Sequence, residues 1–266
     1  MSQPLFLTIP ISHYGERARW ALDLAGADYD ERHHLQMFAW GPAFLYGRQK
    51  MLPILRIGPR VLRSSAEIVA YAADERGAEL FPAAVDRGEV DRLSETFAGA
   101  FGVATRRIAY EWMFRMLDVS LAFNAGRAPM GERVLMYSLR KPTRAFATWY
   151  LGVEAQAVDE AKRLVARTLD DVAARLADGR RYLFGDVFTA ADLTFASMMS
   201  PAVLPPHHPV PLPQPNLLPK AERAAIEATR AHPAGAFALR LYAERPLARG
   251  TYERQIFVRT RAATKL

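Results

Sequence analysis

The stretch "KMLPILRIGPRVLRSSAEIVAYA", residues 50–72, decides the fold. Within it, "LPILRIGPRVLR" sets two runs of β-type residues about a Gly58-Pro59 turn, the pattern of a hairpin. Ser64 followed three positions later by Glu67 is a capping-box signature, and it opens the helix "SSAEIVAYAADERG" that Gly77 closes. A hairpin feeding directly into a helix is a piece of an α/β domain.

Toward the N-terminus the order extends. Residues 4–9 of "PLFLTIP" read as a short buried strand. From Tyr14 to Ala25 the small or apolar positions Ala18, Ala21, Leu22 and Ala25 recur at helical spacing, and Gly26 stands where a glycine stops a helix. "DYDERHHLQ" reads as a second short strand and "MFAWGPAFLYG" as an irregular aromatic stretch. The sum is β-α-β-α-β-β-α in about the first 80 residues, a small α/β domain.

Past "LFPAAVDRG" the pattern turns helical throughout. Val90, Leu93, Phe97, Phe101, Ala104 and Ile108 mark one apolar face; Val158, Ala161, Val165, Leu169, Val172 and Leu176 mark another. "NAGRAPMGERVLMYSLRKPTRA" is poorly periodic and reads as a flap or peripheral insertion. In "SPAVLPPHHPVPLPQPNLLP" proline recurs too often for helix or central strand, so an extended surface loop is expected.

At 266 residues, half of them hydrophobic, the chain suits two domains with real cores. The net charge of +7 is dispersed: Arg106-Arg107 and Arg180-Arg181 are its densest clusters, and neither is interleaved with stacking aromatics, which argues against a nucleic-acid partner. There is no Cys, so disulfides, zinc-thiolate sites and catalysis by a protein thiol are excluded. No cationic leader and no apolar run of the roughly 18–20 residues needed to span a bilayer is present, so a cytoplasmic protein without a membrane partner is expected. His33-His34 and His207-His208 are adjacent pairs without a carboxylate or third ligand at useful spacing, so no metal is expected.

Three stretches in order, "SHYGERARWALDLAG", residues 50–72 and "YLFGDVFTAADLTFASMM", together resemble the glutathione transferase superfamily over nearly the whole chain. That resemblance implies a thioredoxin-like α/β domain over 1–82 that binds glutathione and an all-α domain over 88–266 that holds the electrophile. The third stretch has its own physical logic: Thr189 caps a helix, Asp192 reaches back to the cap, and Phe188 can pack on Leu193.

The resemblance implies conjugation of reduced glutathione to a hydrophobic electrophile in detoxification, by a homodimer, with glutathione as co-substrate and no further cofactor. Ser12 aligns with the thiolate-stabilising Ser or Cys of the serine-type and cysteine-type classes; its plain alternative is an N-cap, and Tyr14 is a rival donor. Leu52 would pair its backbone with the cysteinyl part of glutathione, and Pro53 would be cis. Ser65 would receive the γ-glutamyl carboxylate, and Lys50 would meet the glycine carboxylate or stand merely exposed. Ser64 occupies the position where the family places the Glu or Asp that meets the ligand's ammonium, which removes a charge pair that Glu67 or a partner subunit would have to replace. Tyr110, Met113 and Phe114 of "YEWMFRM" read as core at helical spacing, with some of them candidates for the electrophile cleft. A second reading, favoured by Ser64 and the insertions, is a transferase-like protein that binds ligands or partners without turnover.

Overall fold

Strand alternation divides the core of the first unit in two. The computed structural model describes residues 3–115, 128–139 and 155–245, in two units that divide between Glu79 and Leu80. In the first, β1 (Leu5–Thr8) pairs in parallel with β2 (Asp30–His33) and antiparallel with β3 (Ile54–Ile57), which pairs antiparallel with β4 (Arg60–Leu62), giving the order β2-β1-β3-β4. Phe6 and Leu55 face one way and pack with Ala18, Leu22, Tyr29, Leu62 and Ile68, beneath α1 (His13–Leu24) and α3 (Ser65–Asp74). Leu7 and Ile54 face the other way, onto Ala39 and Ala43 of α2 (Trp40–Gly47) and its approach.

That α2 exists corrects the expectation of an irregular stretch. Pro42 lies in its first turn, where the missing N–H costs no helical bond. Gly47 lets the helix close on the sheet, since a Cβ there would sit 2.5 Å from Ile54 Cδ1.

The second unit is helical: α4 (Arg87–Thr96), α5 (Gly102–Arg115), α6 (Met130–Ser138), α7 (Ala155–Leu176), α8 (Ala190–Val203), α9 (Lys220–Ala231) and α10 (Pro233–Glu244). The face read as continuous from Val90 to Ile108 is broken by a π-turn over Phe97–Phe101, where Gly99 leaves helical geometry at ψ −117°. α8 is buried nearly all round, and Phe195 gathers Phe97, Phe101 and Phe237 at centroid distances of 5.0, 5.8 and 5.9 Å. Its capping box is present: Thr189 accepts from the Ala191 N–H, and the Asp192 carboxylate accepts from the Thr189 N–H and also from the Leu183 N–H, both at 2.8 Å. Phe188 sets its ring edge-to-face against Tyr182 at 5.6 Å.

One further expectation gains detail and another is corrected. The insertion contains α6, and its residues 124–127 and 140–145 lie outside the described residues. The proline tract is not a plain surface loop: α8 continues through Pro201 to Val203, and Val210, Leu212 and Leu218 beyond it are buried. Arg230 holds the tract from α9, donating to the carbonyl oxygens of Val203 (2.7 Å) and Leu204 (2.6 Å). The His208 ring is buried, its Nδ1 2.7 Å from the Val210 carbonyl oxygen and 3.0 Å from the Val210 nitrogen.

Candidate functional site

Register brings the predicted glutathione-side residues to one end of the first unit's sheet. Leu7 pairs with Ile54 and Leu55 with Leu62, so the chain leaving β1, the chain entering β3 and the chain leaving β4 all meet there. Ser12 lies on the first of these segments, Lys50, Leu52 and Pro53 on the second, and Ser64 and Ser65 on the third.

Ser12 is the N-cap of α1, its Oγ accepting from the Gly15 N–H at 3.2 Å. A hydroxyl that accepts through a lone pair keeps its proton to give, so capping and donation are compatible roles. The Tyr14 ring lies against His13, centroids 4.3 Å apart. The Leu52–Pro53 peptide is cis. Ser64 is the N-cap of α3, accepting from the Glu67 N–H at 3.1 Å, and Ser65 is its first helical residue. Glu67 completes the turn differently from the expected box: its carboxylate takes the Arg63 N–H at 2.9 Å and lies 3.3 Å from the Ser64 hydroxyl.

Three partners of this site were not evident in the sequence. Arg17, buried in α1, donates from Nη1 to Ser65 Oγ at 3.5 Å, so a cation, a hydroxyl and the N-terminus of α3 share one place. That is the equipment for a carboxylate. Gln49 Nε2 donates to the carbonyls of Met51 (2.6 Å) and Arg63 (2.8 Å), tying the cis-proline loop to the start of α3. Arg63 Nε in turn donates to Gly47 O at 2.8 Å. Lys50 is exposed beside them.

One turn into α1 lies a buried ionic cluster. Arg19 Nη2 meets Glu31 Oε1 at 2.6 Å and Nη1 meets Glu16 Oε2 at 2.5 Å, Thr8 Oγ1 donates to Glu31 at 2.7 Å, and His33 Nε2 lies 3.1 Å from Glu31. Burial pushes the Glu31 carboxyl up, but the Arg19 charge and His33 outweigh it and hold it well below the usual carboxylate range. Glu31 thus corrects the expectation that His33 has no carboxylate at useful spacing. Even so, no group of three or more His, Asp or Glu arranged to hold a metal occurs among the described residues.

The electrophile candidates divide. Tyr110 and Met113 are buried in α5 of the second unit, and burial raises the Tyr110 phenol above its ordinary value. The Phe114 side chain lies outside the described residues. Among the described residues no helix is long and apolar enough to cross a membrane.

A four-stranded mixed sheet flanked by helices, with a cis-proline beside two capped helix N-termini, joined to an all-helical unit, is the architecture of a thioredoxin-like domain followed by a transferase helical domain. The family model of the glutathione S-transferase N-terminal domain matches residues 6–79, and that of the C-terminal domain matches residues 155–218. The chain belongs to the glutathione S-transferase superfamily. Solved structures agree in fold. A theta-class glutathione S-transferase from Xanthomonas axonopodis pv. citri with glutathione bound is 19% identical, with 90% of this chain and 98% of that one covered at a TM-score of 0.54. A Pseudomonas fluorescens family member with two glutathione bound is 16% identical, with 92% and 89% covered at 0.60. A serine-to-cysteine mutant of poplar glutathione transferase F1 is 13% identical, with 92% and 100% covered at 0.55. A comparison with curated protein sequences finds no match.

Proposed function

We propose that the chain conjugates reduced glutathione to a hydrophobic electrophile, with Ser12 as the group that stabilises the thiolate. The observation that carries this is the meeting, at one end of the sheet, of the α1 N-cap, the cis-Pro53 loop and the Arg17–Ser65 pair at the start of α3. In this reading Ser65 and Arg17 take the γ-glutamyl carboxylate, Leu52 pairs its backbone with the cysteinyl unit, and Lys50 meets the glycine carboxylate. The sulfur then lies at the N-terminus of α1, where the Ser12 hydroxyl donates to it and the helix dipole favours its charge. Lowering a thiol pKa by about two units takes roughly 2.7 kcal/mol, which a charge-assisted hydrogen bond and the dipole can supply together. Accepting the Gly15 N–H polarises the Ser12 hydroxyl and makes it a better donor.

A second reading is binding without turnover. It is supported by Glu67, whose carboxylate is engaged with the Arg63 N–H and so replaces the family's acid poorly. Retention on immobilised glutathione together with conjugation of a generic aryl halide tests both. Turnover that Ser12→Ala abolishes while retention persists supports the enzyme; retention without turnover in the parent protein supports the binder.

A further inference from the structure

We propose that the outward face of α2 is a docking surface for an anionic lipid bilayer. Its inward side, Ala39, Ala43 and Gly47, is buried on the sheet. Outward, Trp40 is 61% exposed, Phe44 62% and Leu45 74%, and Met51 just beyond the helix is 59% exposed. Trp40 and Phe44, one turn apart, stack with centroids 6.4 Å apart, so they form one ridge. Four large apolar side chains left in water on so short a stretch mark an interaction surface rather than a solvated face.

Charge selects the occupant. From His33 to Ala66 the sequence carries no Asp or Glu, and of its five cations Arg48, Lys50, Arg56 and Arg63 remain for this side, whereas Arg60 turns to the other face of the sheet and pairs with Glu75 at the end of α3 at 2.7 Å. Arg48 caps α2, and Arg56 alternates with Ile54 onto the same face of the sheet; both are exposed. The carboxylate that strand register adds to this face is Asp30, which is paired with Arg32 at 3.3 Å. An apolar ridge of Trp, Phe and Leu rimmed by Arg and Lys is the composition of an interfacial helix on acidic phospholipid.

Other occupants fit less well. A second copy meeting this face across a two-fold axis would bring two identical cationic rims into one interface. Two of the chain's three longer segments outside the described residues are themselves cationic, Arg140, Lys141 and Arg144 in one, Arg249, Arg254, Arg259, Arg261 and Lys265 in the other, and the third, residues 116–127, carries no net charge to answer this rim. Nucleic acid would use the cations and aromatics but would leave Leu45 and Met51 in water. The outer side of a helix is convex and suits a flat bilayer better than a peptide. Peripheral docking requires no spanning helix, so it departs from the expectation of no membrane partner without needing one. It shares Lys50 with the glutathione reading and otherwise does not depend on it.

The test is co-sedimentation of the full chain with vesicles of phosphatidylcholine containing about one-third phosphatidylserine, against pure phosphatidylcholine, with Trp40 fluorescence as a second readout. Binding is expected to the anionic vesicles alone, with a blue shift that Trp40→Phe removes, and to be reversed by high salt. The double variant Phe44→Ser/Leu45→Ser, both at exposed positions, should weaken it at least tenfold with its melting temperature unchanged, and Arg48→Gln/Arg56→Gln should weaken it several-fold. Failure to bind the anionic vesicles, equal binding to neutral ones, or indifference to both double variants would overturn the proposal. So would retention on poly(U) in place of vesicles, or a dimer that Phe44→Ser/Leu45→Ser dissociates.

Discussion

Deleting the Glu31 carboxylate should destabilise the protein more than any exposed ion-pair deletion. Arg19 donates to Glu31 from Nε at 3.2 and 3.1 Å and from Nη2 at 2.6 Å, and the two side chains are 0% and 3% exposed. Water screens such a pair little, and stranding one partner of a buried pair costs about 3–5 kcal/mol. Glu16 remains on Arg19 at 2.5 Å, so Glu31→Ala belongs at the low end, about 3 kcal/mol. Arg19→Met strands two buried carboxylates instead of one cation and should cost about 5 kcal/mol or more. At about 2–4 °C per kcal/mol, Glu31→Ala should lower the melting temperature by about 6–12 °C. The depressed Glu31 pKa also fixes a sign. Its stabilisation is fully present above the ordinary carboxylate value of about 4.3 and is lost as pH falls below it, so the gap between parent and variant should narrow under acid. Urea unfolding at neutral and acid pH, followed through the buried Trp20 of α1, measures both costs and the narrowing, and a thermal melt measures the shift in melting temperature. A Glu31→Ala cost below about 1 kcal/mol at neutral pH, or an Arg19→Met variant more stable than Glu31→Ala, would refute the reasoning.

Three other outcomes are expected. Ser12→Cys places the chain's only thiol at a helix N-terminus, so in oxidised glutathione it should attack the disulfide, release one glutathione thiolate and gain one glutathionyl group by intact mass; an inert thiol in a glutathione-binding variant would leave Ser12 as a cap alone. Ser64→Asp keeps an equally good N-cap and adds the missing carboxylate, so calorimetry should show glutathione binding about two- to fivefold tighter, and unchanged affinity would remove Ser64 from the ammonium's surroundings. Asp192→Ala leaves the Leu183 and Thr189 N–H groups without their acceptor, so stability should fall by about 3 kcal/mol while folded protein keeps its glutathione affinity.

What could be read from the sequence was what neighbours along the chain determine. Ser12 and Thr189 cap helices through groups within three residues, and Gly26 follows α1 at φ 58° where a stop was expected. α2 was hidden because Gly41, Pro42 and Gly47 look like breakers, and only the sheet beneath explains why glycine is needed at its end. Glu67 was read as reaching the Ser64 backbone and reaches Arg63 instead, a difference of one residue that pattern cannot resolve. Gln49, Arg17 and Arg63 were beyond reach, because a polar side chain in a loop or an arginine in a helix shows no partner until tertiary packing supplies one. The proline tract misled for the converse reason. Its prolines do forbid a regular ladder, yet burial depends on what lies over them, and an arginine some distance further on supplies the hydrogen bonds.

That arginine has a consequence for how the protein can change. Arg230 grips Val203 and Leu204 through their carbonyl oxygens, which every amino acid offers alike. Side chains in this stretch can therefore be exchanged for others of similar bulk with the grip intact. The tract's path is written in one codon outside it, and a single replacement there, Arg230→Met for instance, would release two main-chain acceptors at the end of α8 together.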